Sequence, residues 1–236
     1  MGEFIETLPS LRDDLRGWLA SSNAIAETCD VSFSDDGGIA RPVEEQLRNL
    51  KPAAVLVLLI NRGDGAGPQV LFTQRTAHLT DHAGQISFPG GRVEDSDRDA
   101  VHTALRETEE ETGVNSSRIE IIGALPNYTT GTGYLIKPVV GWIEPPVTYS
   151  PDPKEVAECF EVPFSFLINA DNHRLETAMY KGRMRSYYAV PYLTSAGGRY
   201  IWGATAGMLV SLTRVLAHAK GQVDQPATTW PADSGE

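Results

Sequence analysis

Apolar positions recur every three or four residues near both ends of the chain and gather into runs between them. Phe4, Leu8, Leu11, Leu15 and Leu19 predict an amphipathic helix over residues 3–20, with Pro9 best tolerated in its first turn. Met208, Leu209, Leu212, Val215 and Leu216 predict another over residues 203–220. Residues 53–60, rich in Val, Leu and Ile, predict a buried strand. A Gly-rich turn over residues 61–67 then leads to a second strand at 70–73, completing a hairpin. Further strands are expected at 85–88 (stopped by Pro89-Gly90-Gly91), 119–124, 136–142, 186–190 and 200–202. Short helices are expected at 41–51 and 155–160. A longer one is expected at 100–112, capped by the preceding Asp residues and stopped by Gly113. Residues 28–42 read as loop and those from Gly221 onward as a polar tail. The elements mix without the regular alternation of a doubly wound sheet, so the fold class predicted is α/β with strands running in both directions.

Composition narrows the function classes. With 236 residues, 41 % of them hydrophobic, the chain can bury a sizeable core. A net charge of −11 disfavours nucleic-acid backbones and anionic membrane surfaces as partners. An anionic substrate would need positive charge supplied within the site, as by a divalent metal. Cys29 and Cys159 are too few and too far apart for a disulfide framework or a metal-ligand pair, which suggests reduced thiols in an intracellular, cytoplasmic protein. The longest apolar run, residues 53–60, is far short of the ~20 residues of a membrane helix, and the first residues do not read as a secretory signal.

The chemistry concentrates in residues 90–114. At about 100° per residue, Glu107 and Glu111 lie one turn apart on one helix face with Glu110 beside them. Val101, Leu105, Thr108 and Thr112 gather on a face suited to a sheet, and Glu109 points to water. Like charges one turn apart repel, more so near the negative end of the helix dipole. Arg106 can pair with Glu110, and a hard cation such as Mg²⁺ or Mn²⁺ would offset the repulsion further. An arbitrary run of Glu is usually a solvated surface. Here a Gly pair, the helix and Arg-Glu follow in a fixed order.

That order resembles the Nudix box: Gly, five residues, Glu, seven residues, Arg-Glu, two residues, Glu-Glu, one residue, Gly and an apolar residue. Gly91, Arg106, Glu107, Glu110, Glu111, Gly113 and Val114 match it. The spacing from Gly91 to Arg106 is one residue longer, Asp97 is the nearest acidic match to the intermediate Glu, and Thr108 replaces a larger apolar residue. The extended acidic loop looks like the coenzyme A pyrophosphatase branch. So does the preceding element over residues 71–91, with its Arg75, Leu79, His82, Gly84-Gln85 and Phe88-Pro89-Gly90-Gly91. The resemblance implies a mixed sheet in an α/β/α sandwich, with a Nudix hydrolase domain at residues 41–220, a helical or loop extension at 1–40 and a tail at 221–236. It implies Mg²⁺- or Mn²⁺-dependent hydrolysis of coenzyme A or acyl-coenzyme A to adenosine 3′,5′-bisphosphate and 4′-phosphopantetheine. The alternatives are another nucleoside diphosphate derivative, such as ADP-ribose or a dinucleotide, or a non-catalytic nucleotide-binding module. By position, Glu107, Glu111 and Glu110 would hold the metal with the Gly91 backbone. Glu107, Glu110 and Arg106 would act in catalysis, and Arg75 and His82 would either meet substrate phosphate or brace their loop by hydrogen bonds. Glu155 or Glu158 is a further candidate base, and a homodimer is a further expectation. The Trp202 segment and the Met208–Leu216 stripe are assigned to the core.

Overall fold

The computed structural model describes residues 8–29, 32–34, 39–40, 49–63, 65, 67–77, 84–180, 183–195 and 197–221. Strand β3 (Lys51–Ile60) organises the main sheet because apolar side chains leave both of its faces. Successive side chains on a strand alternate in direction. Ala54, Leu56, Leu58 and Ile60 enter one core, and Val57 and Leu59 enter the other. β3 pairs in parallel with β9 (Tyr134–Ile143) over its whole length and antiparallel with β4 (Gln69–Arg75), which forms the predicted hairpin. β10 (Val156–Pro163) closes the outer edge of β4. On the far side of β9 the sheet continues through β8 (Tyr128–Thr129), β1 (Ser32–Ser34) and β2 (Ile39–Ala40). Short strands β5 (Ile86–Ser87), β6 (Gly90–Arg92) and β7 (Glu120–Ala124) attach to β4, β3 and β9. A separate antiparallel sheet contains β11 (Arg174–Tyr180), β12 (Arg183–Thr194) and β13 (Gly197–Trp202).

Helices cover both faces of the main sheet. Helix α1 (Leu8–Cys29) and helix α4 (Ala204–Ala219) lie on the face that carries Leu59, Phe72 and Trp142. Leu15 and Leu19 of α1 are buried there, and a β-carbon at Gly123 would strike the Leu19 side chain. Gly207 lets α4 lie directly on the Tyr128 ring, where any larger residue would overlap the phenol. Helix α2 (Ala100–Thr112) covers the opposite face with Leu56, Leu58, Ala104 and Val139. Burying each such Leu contributes about 1.5–3 kcal/mol. The short helix α3 (Phe164–Leu167) follows β10.

Several elements differ from the sequence expectation. Residues 155–160 are not a helix: Glu155 is in a turn and β10 takes up the rest, because β4 offers an edge and Val162 and Phe160 alternate correctly for its inner face. Gly90 and Gly91 do not end strand structure but belong to β6, whose close approach to β3 requires small residues rather than strand formers. α1 runs past residue 20 to Cys29, and β1 and β2 lie within the expected loop at 28–42. Of the expected short helix, Asn49 and Leu50 form a turn, Lys51 begins β3, and residues 41–48 lie outside the described residues. Trp202 is 40 % exposed instead of core, whereas Met208, Leu209, Leu212 and Leu216 are buried as expected. β11 escapes a reading by pattern because its sequence, RLETAMY, lacks apolar alternation.

Candidate active site

Helix α2 is positioned by its two ends. Asp99 caps its start by accepting from the His102 amide at 2.8 Å, and Gly113 ends it in the left-handed conformation at φ +71°. Thr108 and Thr112 are buried between helix and sheet, and each hydroxyl donates to a carbonyl one turn back at 2.6 Å. This is how Thr fits where a larger apolar residue was expected: its hydroxyl needs no partner from the sheet. Val101 and Leu105 are only partly buried, so the face pressed to the sheet is centred on Ala104, Thr108 and Glu111. Glu109 is exposed, as expected, and accepts from the Ser116 amide and hydroxyl.

The Gly pair brings the carboxylates against the strand. A β-carbon at Gly91 would overlap the Glu107 carboxylate, and one at Gly90 would overlap the β3 backbone at Ala54 and Val55. The Gly90 amide donates to Glu111 at 3.2 Å. Glu111 is only 5 % exposed, and its pKa is pushed up to about 8, mainly by burial, with Glu107 and Glu155 adding to the rise. The Gly90 amide and the Arg75 guanidinium, 3.9 Å from Glu111, oppose the shift without cancelling it. Half-buried Glu107 is also shifted upward by burial, against the pull of Arg106. Glu110 lies outermost and more than half exposed.

Arg106 is the centre of this arrangement. It reaches Glu107 at 3.0 Å, Glu110 at 3.2 Å and the Arg92 carbonyl at 3.3 Å. Its other partner is Asp97, whose side chain is inaccessible to solvent and accepts from Arg106 Nε at 3.0 Å and Nη2 at 2.9 Å. Thr103, His102 and the Glu94 amide also contact Asp97, each at 2.9 Å, and Arg106 above all holds its carboxyl far below the usual range. Asp97 follows Gly91 after five residues, the place of the intermediate Glu in the box pattern, so the extra residue falls between Asp97 and Arg106. In the sequence Asp97 is one of four acids over residues 94–99, and its hold on Arg106 emerges only from the fold; the signal that singles it out is its five-residue spacing from Gly91.

The segment leading into β10 closes the site. The Asp152 and Ser150 amides donate to the carbonyls of Glu111 and Thr112 at 3.2 and 2.8 Å, and the Thr76 amide donates to the Glu155 carbonyl at 3.0 Å. Glu155 acts electrostatically on both Glu107 and Glu111, whereas Glu158 is engaged by Arg199 at 2.6 Å. Arg75, at the end of β4, keeps a buried Nε that has no hydrogen-bond partner. His82 lies outside the described residues. The Cys159 thiol is pushed up to about 11 by burial and nearby carboxylates, which makes it a poor nucleophile.

The donor chemistry fits a hard divalent cation. Among the described residues no three carboxylate, imidazole or thiol side chains converge tightly enough to cage an ion alone. Mg²⁺ does not require such a cage, since it commonly takes one or two carboxylates and completes its shell with water and substrate phosphate. Glu111, Glu107 and the Gly90–Gly91 backbone provide oxygen donors of that kind, in a place where carboxylate charge is only partly balanced. Among the described residues no helix is long and apolar enough to cross a membrane.

A family model described as NUDIX domain matches residues 50–178. The chain is 36 % identical over 175 residues to the Nudix hydrolase NudL of Escherichia coli strain K12, covering 74 % of this chain and 88 % of the relative. Among solved structures, a MutT/nudix family protein from Enterococcus faecalis aligns with TM-score 0.44 and 14 % identity, over 96 % of this chain and 79 % of that one. An Ap4A hydrolase of C. elegans aligns with TM-score 0.41 and 19 % identity, over 48 % of this chain and 80 % of that one. The matched segment contains β3, the Gly pair, α2 and β10, and the chain carrying them belongs to the Nudix hydrolase family.

Proposed function

We propose that this Nudix hydrolase cleaves the diphosphate linkage of coenzyme A or acyl-coenzyme A. Water adds to one phosphorus and the P–O–P bond breaks, with the other phosphate leaving with the electron pair. The products are adenosine 3′,5′-bisphosphate and 4′-phosphopantetheine or its acyl form. The observation that carries the hydrolytic reading is Glu111, a buried carboxylate with a raised pKa, backed by the Gly90 amide and flanked by Glu107. Coenzyme A as the substrate rests on the likeness of residues 71–91 and of the extended Gly91–Arg106 spacing to that branch.

Glu111 and Glu107, assisted by Glu110 and the Gly91 backbone, would hold Mg²⁺ or Mn²⁺. When bound, such a cation supplies Lewis-acid polarisation and neutralises diphosphate charge. Glu107 orients the attacking water, since its carboxylate is wedged against Gly91 and steered by Arg106. Arg106 keeps Glu107 and Glu110 in fixed positions, and Glu110 remains on the open side. Arg75 has an unsatisfied donor beside Glu111 and is suited to a phosphate oxygen; His82 is assigned to the same task. Glu155 can accept the proton that the water loses.

The test is product analysis after incubation with coenzyme A, an acyl derivative and ADP-ribose, each with and without Mg²⁺ or Mn²⁺. The bisphosphate is expected from the first two, in the presence of metal only. Higher catalytic efficiency on ADP-ribose or a dinucleotide would replace the substrate, and tight binding without product would indicate a non-catalytic module.

A further inference from the structure

A second polar arrangement lies on the opposite side of β6 from the carboxylates. Side chains alternate along a strand, so Gly91 faces Glu107 while Arg92 leaves from the other face. There the Arg92 Nε and Nη2 donate to the Tyr134 hydroxyl at 3.0 and 2.6 Å, with the guanidinium 5.4 Å from the ring centre. Lys51, opposite Tyr134 in the β3–β9 register, places its Nζ 5.9 Å from the same centre. Two cations therefore converge on one half-buried tyrosine in a chain of net charge −11.

Arg214 also donates to a phenol, that of Tyr188 at 3.2 Å, but several other arginines pair with acids. Arg12, Arg16, Arg62, Arg106 and Arg199 all meet carboxylates. Among the described residues neither Lys51 nor Arg92 forms an ion pair, and both are exposed. The backbone beneath them is fixed nonetheless. Arg106 Nη2 donates to the Arg92 carbonyl at 3.3 Å, and the Val93 amide donates to the Pro52 carbonyl at 3.1 Å. The same Arg106 that holds Glu107 thus fixes the position of Arg92. Gly91 and Arg92 are consecutive residues of β6, so the two arrangements are tied to one short strand on its two faces.

We propose that Lys51, Arg92 and the Tyr134 hydroxyl form a phosphomonoester subsite that reads a phosphate on the ribose of the substrate, the 3′-phosphate in coenzyme A. The inference rests on the coenzyme A reading. Arg presents several N–H donors in a planar fork suited to phosphate, Lys adds a mobile point charge, and Tyr adds a neutral donor. The diphosphate and the ribose phosphate then bind on opposite sides of one strand. The carboxylate side takes its positive charge from a cation, and the Arg92 side takes it from protein.

The test compares coenzyme A with dephospho-coenzyme A by kcat/KM in the wild type, Arg92→Gln and Lys51→Gln. Binding of adenosine 3′,5′-bisphosphate and 5′-AMP is measured in parallel by calorimetry with Mg²⁺ present. The wild type is expected to prefer the phosphorylated member of each pair. Arg92→Gln is expected to lower that preference about tenfold, the scale of one charge-assisted contact, and Lys51→Gln to lower it less. Equal preference in wild type and Arg92→Gln would overturn the subsite. If neither coenzyme is cleaved but the bisphosphate preference and its loss in Arg92→Gln persist, the substrate reading fails and the phosphate subsite stands. Thermal melting of each variant verifies folding.

Discussion

The two faces of β3 make different use of the same burial. Toward α1 and α4, Val57, Leu59, Phe72, Trp142 and Leu212 form an apolar core without an ionised group among them. Toward α2, the neighbouring positions pack against a helix that buries Glu111 and three threonines, Thr103, Thr108 and Thr112, beside Ala104. One face gains stability from every contact, while the other holds a carboxylate in a place that resists its charge. Burial thus goes with apolar packing on one side and with a raised carboxylate pKa on the other, with a single strand as the partition.

The largest expected effect separates the two faces. Glu111→Gln should lower turnover roughly a thousandfold, the loss of several kcal/mol of transition-state stabilisation. The metal-free protein should melt no lower than wild type near and above pH 8, because glutamine cannot take on the charge that burial opposes there. Steady-state kinetics and calorimetry check both parts, and unchanged turnover would exclude Glu111 from the reaction. On the apolar face the pattern inverts. Leu59→Ala should destabilise by about 2–5 kcal/mol, read from denaturant midpoints, and its kcat, measured below the melting temperature, should stay within a factor of a few.

Smaller effects probe how the charged face is held. Asp97→Asn weakens the grip on Arg106 and should reduce kcat about tenfold, with KM little changed, since Asp97 reaches the reaction only through Arg106 and Glu107. Restoration of rate by Asp97→Glu would support a positioning role. The raised pKa of Glu111 also has a thermal signature. The folded state keeps a proton that the unfolded state releases near 4.5, so this group's contribution to stability is greatest at low pH. The contribution is lost as pH climbs toward about 8. Melting of the metal-free protein should reveal that decline at roughly 2–4 °C per kcal/mol. Added Mg²⁺ should raise Tm more at pH 8.5 than at pH 5, and equal increments at both would contradict metal binding through Glu111. The smallest effect belongs to neither face: Met184→Ser on the exposed part of β12 should shift stability by less than about 0.5 kcal/mol.

Much of this partition was legible in the sequence where one residue's local pattern suffices. The run at 53–60, the caps of α2 and the grouping of Glu107, Glu110 and Glu111 are local properties of spacing. Elements that depend on a distant partner were not legible. β10 is a strand because β4 lies beside it, and Gly90–Arg92 is a strand because glycine fits under α2; neither fact is written in residue preference. The site divides in the same way. Arg106 beside Glu110 follows from one helical turn. The burial of Glu111, the five contacts around Asp97 and the meeting of Lys51 with Arg92 require chain segments that only folding brings together.

The position of α1 and α4 bears on how this protein can be divided. The family match ends at residue 178 and begins at residue 50, yet both helices that roof the apolar core lie outside those limits. An expression fragment cut to residues 50–178 would contain every carboxylate of the active face. It would also leave Val57, Leu59, Phe72 and Trp142 without their cover, exposing a contiguous greasy surface of the kind that drives association. The segment that matches the family is therefore not a portable module in this chain: the cover of its apolar face comes from helices outside it.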